Sequence, residues 1–204
     1  MDRHAALAVL AAIPVLAAVF YYATRLMPPL QGYLFGLAVY WFCVLTPLII
    51  WRGGFGNVRY RLILPQPWLL ALNAALILGV CIAAIVGLQT TPLPLFILAA
   101  VACAAVINGS LEEIFWRGKL LSDDADRTAL SLQLILFIGW HIALLFAGGV
   151  VVTGGALGLL GGAAIGGLLW TWARVQTGSV GFSILCHVGL NLFAFTELAT
   201  NNPI

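Results

Sequence analysis

Residues 68–88 read WLLALNAALILGVCIAAIVGL, without a single charged side chain. A helix of about 20 mostly apolar residues is long enough to cross the hydrocarbon core of a bilayer, so this stretch predicts a membrane span. Working outward in both directions, similar runs occupy residues 5–22, 30–51, 93–121, 129–147, 150–173 and 178–198. Of the 204 residues, 63% are hydrophobic and only 8% charged, too few to furnish the water-facing surface of a soluble domain. The expected fold is therefore an all-α polytopic membrane protein, a bundle of about seven spans forming one integral-membrane domain over residues 1–204.

Breaks between the runs carry the signals expected of connections. Pro28 and Pro29, Pro65 and Pro67, and Pro92 and Pro94 fall between spans, whereas Pro14 and Pro47 lie inside spans and predict kinks. The first run is followed by nothing resembling a polar mature domain, so it reads as a helix of the protein and not as a cleaved signal. Cys43, Cys81, Cys103 and Cys186 lie within apolar runs without a Cys-x-x-Cys spacing and read as buried thiols.

The net charge of +2 and the scattered basic residues argue against nucleic-acid binding. Their distribution instead reports orientation. A cytoplasmic N-terminus puts Arg3, Arg52, Arg59, Arg61, Arg117, Lys119, Arg127 and Arg174 on the inner side and Arg25 alone outside, which places the C-terminus outside. The expected location is thus an integral protein of a bacterial cytoplasmic membrane. Trp51, Trp68, Trp116, Trp170 and Trp172 gather near the proposed cytoplasmic ends and read as interfacial anchors. In span six Gly154, Gly158, Gly162 and Gly166 repeat at four-residue spacing, which predicts close helix packing in preference to a hinge or groove.

Ionisable residues within spans need partners or a function. Glu112 and Glu113 lie in span four, His141 in span five, and His187 with Asn191 in span seven. Counted at 1.5 Å per residue from the proposed cytoplasmic ends, Glu112 and His187 lie about 14 Å deep, His141 about 18 Å and Asn191 about 20 Å. Antiparallel helices thus bring these residues to one layer, between spans four, five and seven. Glu113 and Arg117 have the i,i+4 spacing of an ion pair, while Asn108, one turn before Glu112, is placed to hydrogen-bond to it. This separates a structural carboxylate, Glu113, from a chemical one, Glu112.

Several hydrolytic chemistries can be compared with this set. A His-Glu-x-x-His zinc motif is absent, no Gly-x-Ser-Gly motif accompanies Ser110 or Ser183, and Asp123, Asp124 and Asp126 all fall in a loop. Water activated by carboxylate and imidazole remains, with amide or imidazole donors for an oxyanion. Glu112, His141 and His187 are also an alternative zinc-ligand set. The metal-free arrangement is favoured, because no second carboxylate is obviously free to orient either imidazole.

Glu112-Glu113-Ile114-Phe115-Trp116-Arg117, Phe137-Ile138-Gly139-Trp140-His141 and His187-Val188-Gly189-Leu190-Asn191 closely resemble the three motifs of the CAAX protease and bacteriocin-processing family. The resemblance covers about the last 110 residues. It implies an intramembrane endopeptidase in which Glu112 and His141 activate water, Glu113 and Arg117 support the site, Phe137 belongs to the motif, and His187 with Asn191 stabilises the oxyanion. It implies a membrane-anchored or lipidated peptide or protein substrate: a prenylated C-terminal peptide, a leader or bacteriocin peptide, or an anchor tail. No cofactor is expected, zinc being the alternative. A non-catalytic scaffold or immunity factor and a proton-coupled transporter are the competing functions; retention of every motif residue argues against the first, and the lack of an internal repeat against the second. The oligomeric state is not encoded in any feature of the sequence.

Overall fold

A computed structural model describes residues 1–202. Among the described residues, seven helices are long and apolar enough to cross a membrane: α1 (Arg3–Leu26), α2 (Pro29–Trp51), α3 (Pro67–Thr90), α4 (Leu95–Lys119), α5 (Arg127–Phe146), α6 (Gly155–Thr177) and α7 (Gly181–Asn201). Local chemistry fixes their starts. Asp2 and Asp126 cap α1 and α5 by accepting from the amides of Ala5 and Ala129, at 3.0 and 2.8 Å. Pro29 and Pro67 occupy first-turn positions of α2 and α3, where a missing N–H costs nothing.

Helix α7 is the hub, packed against α3, α4 and α6, while α1 packs against α2 and α5. The last span, which carries His187 and Asn191, is thereby fixed from three sides. Two helices contain a wider π turn, Tyr40–Leu45 in α2 and Ile114–Lys119 in α4. The first immediately precedes Thr46 and Pro47; a proline ring crowds the carbonyl four residues back, so the kink expected at Pro47 takes the form of this widened turn. Pro14 is accommodated in α1, which runs unbroken from Arg3 to Leu26.

Helix α6 starts later than the apolar run suggests. Gly149, Gly154 and Gly155 adopt positive φ, and Val150 to Val152 fold as a connection across the bundle end. Val151 exchanges 2.8 Å hydrogen bonds with the Asn202 side chain, so apolar residues serve here as a lid on the core without being helical. At the opposite end, Ser179 Oγ lies 2.8 and 2.6 Å from the carbonyl oxygens of Arg59 and Arg61, tying the long α2–α3 connection to the start of α7. The thiols differ from the expected burial: Cys186 alone is buried, Cys81 is intermediate, and Cys43 and Cys103 face outward. In a bundle bathed by hydrocarbon an apolar run does not imply an inward-facing residue.

Candidate active site

Glu113, on the α4 face turned toward α6 and α7, is fully buried and meets Arg117 Nη1 at 2.9 Å. The guanidinium is held further by Thr171 Oγ1 at 3.3 Å and by the Gly167 carbonyl at 3.0 Å, and it lies 4.2 Å above the Phe137 ring. Thr171 in turn donates to Gln133 at 3.0 Å. Every element of this layer is buried, and neutral dipoles and an aromatic face surround the guanidinium, while Glu113 Oε2 has no hydrogen-bond partner in the protein. Glycine at 167 lets α6 approach α5 closely, since a Cβ there would lie only 2.8 to 3.0 Å from the Phe137 and Leu134 side chains.

The second imidazole completes the layer. His187 Nδ1 lies 2.9 Å from Glu113 Oε1, and its ring stacks on Trp170 with centroids 3.9 Å apart. Trp170 is fixed through its indole N–H, which donates to Asn73 at 3.2 Å. A carboxylate acceptor at Nδ1 requires that nitrogen to carry the proton, which directs Nε2 toward Glu112 Oε2 at 3.5 Å. This corrects the expectation that no second carboxylate orients an imidazole: Glu113 serves both Arg117 and His187, a contact between α4 and α7 that sequence spacing cannot reveal.

Glu112 is also fully buried, but neither of its oxygens accepts a hydrogen bond within the protein. The expected partner, Asn108, makes no hydrogen bond to it; the Asn108 Oδ1 accepts from the Trp41 indole of α2 at 2.6 Å. His141 sits where α5 tightens into a final 3-10 turn, and its Nδ1 donates to the Phe137 carbonyl at 2.7 Å. The Asn191 amide nitrogen is buried without an acceptor.

Asn108, His141, His187 and Asn191 line a cavity of about 400 Å³, and His187 Nε2, on its wall, lies 3.5 Å from Glu112 Oε2. That volume falls within the range of ligand pockets, roughly 300–1,000 Å³. The cavity also divides the glycine stripe: Gly158 and Gly162 line it, whereas Gly166 lies under Trp170 of its own helix and Gly167, beside the repeat, meets Phe137 and Leu134 of α5. Close packing against another helix is therefore made by Gly167 beside the repeat. Trp116 and Trp170 likewise depart from their expected role as anchors, being buried around the site, while Trp51, Trp68 and Trp172 remain exposed. Among the described residues, no group of three or more His, Cys, Asp or Glu side chains is placed to hold a metal ion.

The sequence did not single out Tyr40, Trp41, Asn73, Gln133 or Thr171. Tyr40 accepts from the Trp116 indole at 3.0 Å and stacks on Trp140 at 3.7 Å, closing the site from α2. Gln133 and Thr171 carried a detectable signal as polar residues within apolar runs.

A family model described as type II CAAX prenyl endopeptidase Rce1-like matches residues 92–193, half of the chain and the part that contains every residue of the buried polar layer except those of α1 to α3. The chain belongs to this Rce1-like family. It is accordingly an integral membrane protein, in keeping with its seven apolar helices. Uncharacterized protein YyaK of Bacillus subtilis (strain 168) is 28% identical over 110 residues, which cover 54% of this chain and 37% of that protein. The chain thus spans little more than a third of this relative's length. No solved structure matches the chain.

Proposed function

We propose that this Rce1-like chain is an intramembrane endopeptidase that hydrolyses a peptide bond of a membrane-associated substrate with water activated by Glu112. The observation that carries the reading is the buried Glu112 carboxylate, free of any hydrogen bond in the protein and facing an imidazole whose other nitrogen is held by Glu113. A buried acceptor with no partner is costly as structure alone, but is the arrangement a general base needs.

The tautomers divide the remaining roles. His141, bonded at Nδ1 to a neutral carbonyl, offers Nε2 as an acceptor that helps orient the water. His187, bonded at Nδ1 to a carboxylate, can carry an imidazolium whose Nε2–H donates to developing negative charge. The unpartnered Asn191 amide supplies a second donor. Water attacks the carbonyl carbon as one of its protons passes to Glu112, and the carbonyl π electrons move onto the oxygen held by His187 and Asn191. Collapse re-forms the C=O bond and breaks the C–N bond. The proton on Glu112 goes to the leaving nitrogen, releasing an acid and an amine without a covalent intermediate. Glu113 and Arg117 position His187 and do not themselves meet the substrate.

No metal enters this sequence of steps. The test compares membrane-protein fragments from cells carrying the wild-type chain or Glu112→Gln. Fragments present only with the wild type are expected, and identical fragment patterns would overturn the proposal.

A further inference from the structure

The cavity extends well beyond the catalytic layer. It follows α7 past Leu190, Ala194 and Phe195 and reaches Glu197 and Thr153 at the opposite end. Ten residues of helix separate His187 from Glu197, a distance of about 15 Å. Between them the lining is mainly apolar, with Leu76 and Val80 of α3 facing Leu159 of α6.

Glu197 is the anomaly of this wall. Its carboxylate accepts from the Thr153 hydroxyl and the Asn201 amide, both neutral groups. Among the described residues, none of the ion pairs involves it. Arg25, in the last turn of α1, is turned away to the Tyr21 carbonyl and lies 3.4 Å over the Tyr21 ring. The carboxylate is partly exposed, one helical turn inside the span at the end of an apolar cavity, a position that favours a cation as partner. The protein brings none to it.

We infer that Glu197 is a specificity residue that pairs with a lysine or arginine side chain of the substrate while the scissile bond lies at Glu112 and His187. At about 3.3 Å per residue, an extended chain covers 15 Å in four to five residues, which fixes the spacing between the basic residue and the scissile bond. The apolar walls accept the intervening side chains. This inference rests on the proteolytic reading of the site.

A purely structural role would make Glu197 a staple between the α5–α6 connection and the end of α7. Binding and cleavage assays with variants separate the two. The probes are fluorescent, otherwise apolar synthetic peptides carrying Lys, Gln or Glu at each position in turn, with binding to Glu112→Gln protein in nanodiscs read by anisotropy. A position is expected at which the Lys peptide binds about tenfold more tightly than the Glu peptide, because attraction at Glu197 is replaced by like-charge repulsion. Adding Glu197→Gln, which keeps an acceptor for Thr153, should abolish this difference, and Glu197→Lys should reverse it. Thr153→Val, which removes the staple but leaves the charge, should preserve it. No binding of any Lys peptide, no Lys preference, or a preference unchanged in Glu197→Gln would overturn the inference. Cleavage by the wild-type protein without regard to charge would reject the role of Glu197 and retain proteolysis. Charge-selective binding without cleavage of any probe would retain the role of Glu197 in recognition and reject proteolysis.

Discussion

Adjacent residues on a helix point about 100° apart, so Glu112 and Glu113 meet different neighbours despite their identical chemistry. Glu113 sits between Arg117 and His187, and Glu112 faces His187 without an acceptor bond of its own. Glu112→Gln should therefore abolish cleavage while leaving the melting temperature close to that of the wild type. Glu113→Gln leaves Arg117 buried without its counter-charge, which should cost about 3–5 kcal/mol of stability as well as activity. Thermal melting and turnover measured on the same preparations check both; a stable Glu113→Gln protein, or retained cleavage in Glu112→Gln, would contradict the division of roles. Metal dependence is tested at this scale. Chelator-treated protein is expected to cleave at the rate of untreated protein and to hold far less than one zinc per chain by elemental analysis. Activity lost with zinc and restored by it would reject the mechanism. The sequence made the Glu113–Arg117 pair legible because both partners lie on one helix at a fixed spacing. It could not reveal Glu113–His187 or Asn108–Trp41, which depend on how α4 meets α7 and α2.

At the level of elements, α6 combines two surfaces along one glycine-rich stretch. A side chain at Gly167 would press on Phe137 and Leu134, so Gly167→Val should wedge α5 from α6 and cost about 1–3 kcal/mol. Gly162 has open space beside it on the cavity wall; Gly162→Phe is expected to preserve the melting temperature and to lower turnover by filling the cavity. Equal thermal losses in the two variants would show that the stripe acts as a single packing face. Residue spacing identified the stripe but not this division, because the cavity is formed jointly with α3 and α7. The helix boundaries show the same limit: the run beginning at Val150 is apolar enough to extend α6, yet positive φ at Gly154 and Gly155 delays the helix. The loop between α4 and α5 carries a pH-dependent tie. Arg174 hydrogen-bonds to Asp123 and holds its carboxyl below the usual carboxylate range. A lowered folded value means that the contribution is present above the unfolded value of about 3.9 and is lost as pH falls through the folded one. Amide exchange in residues 120–126, corrected for its intrinsic pH dependence, should accelerate below about pH 4, and Asp123→Asn should remove the change.

For the whole molecule, the number and placement of the spans were legible because the hydrocarbon thickness sets a length that composition reveals directly. The end of the bundle toward which the cavity runs was not. The catalytic layer is backed by the buried Arg117 network on the side of the basic loops, whereas the cavity runs toward Thr153 and Glu197 at the other end. With the basic loops cytoplasmic, substrate would enter from the external side. Single cysteines at positions 57 and 124 are then expected to resist an impermeant maleimide in intact cells, and one at position 155 to react; the opposite pattern would invert the orientation. The native thiols add a built-in clock. Cys43 and Cys103 lie on the outer surface, while Cys186 is buried immediately before His187. A bilayer-soluble thiol reagent should consume the outer pair at once and Cys186 only as often as the bundle breathes, so its slow labelling phase would time the motions that unlock the catalytic layer.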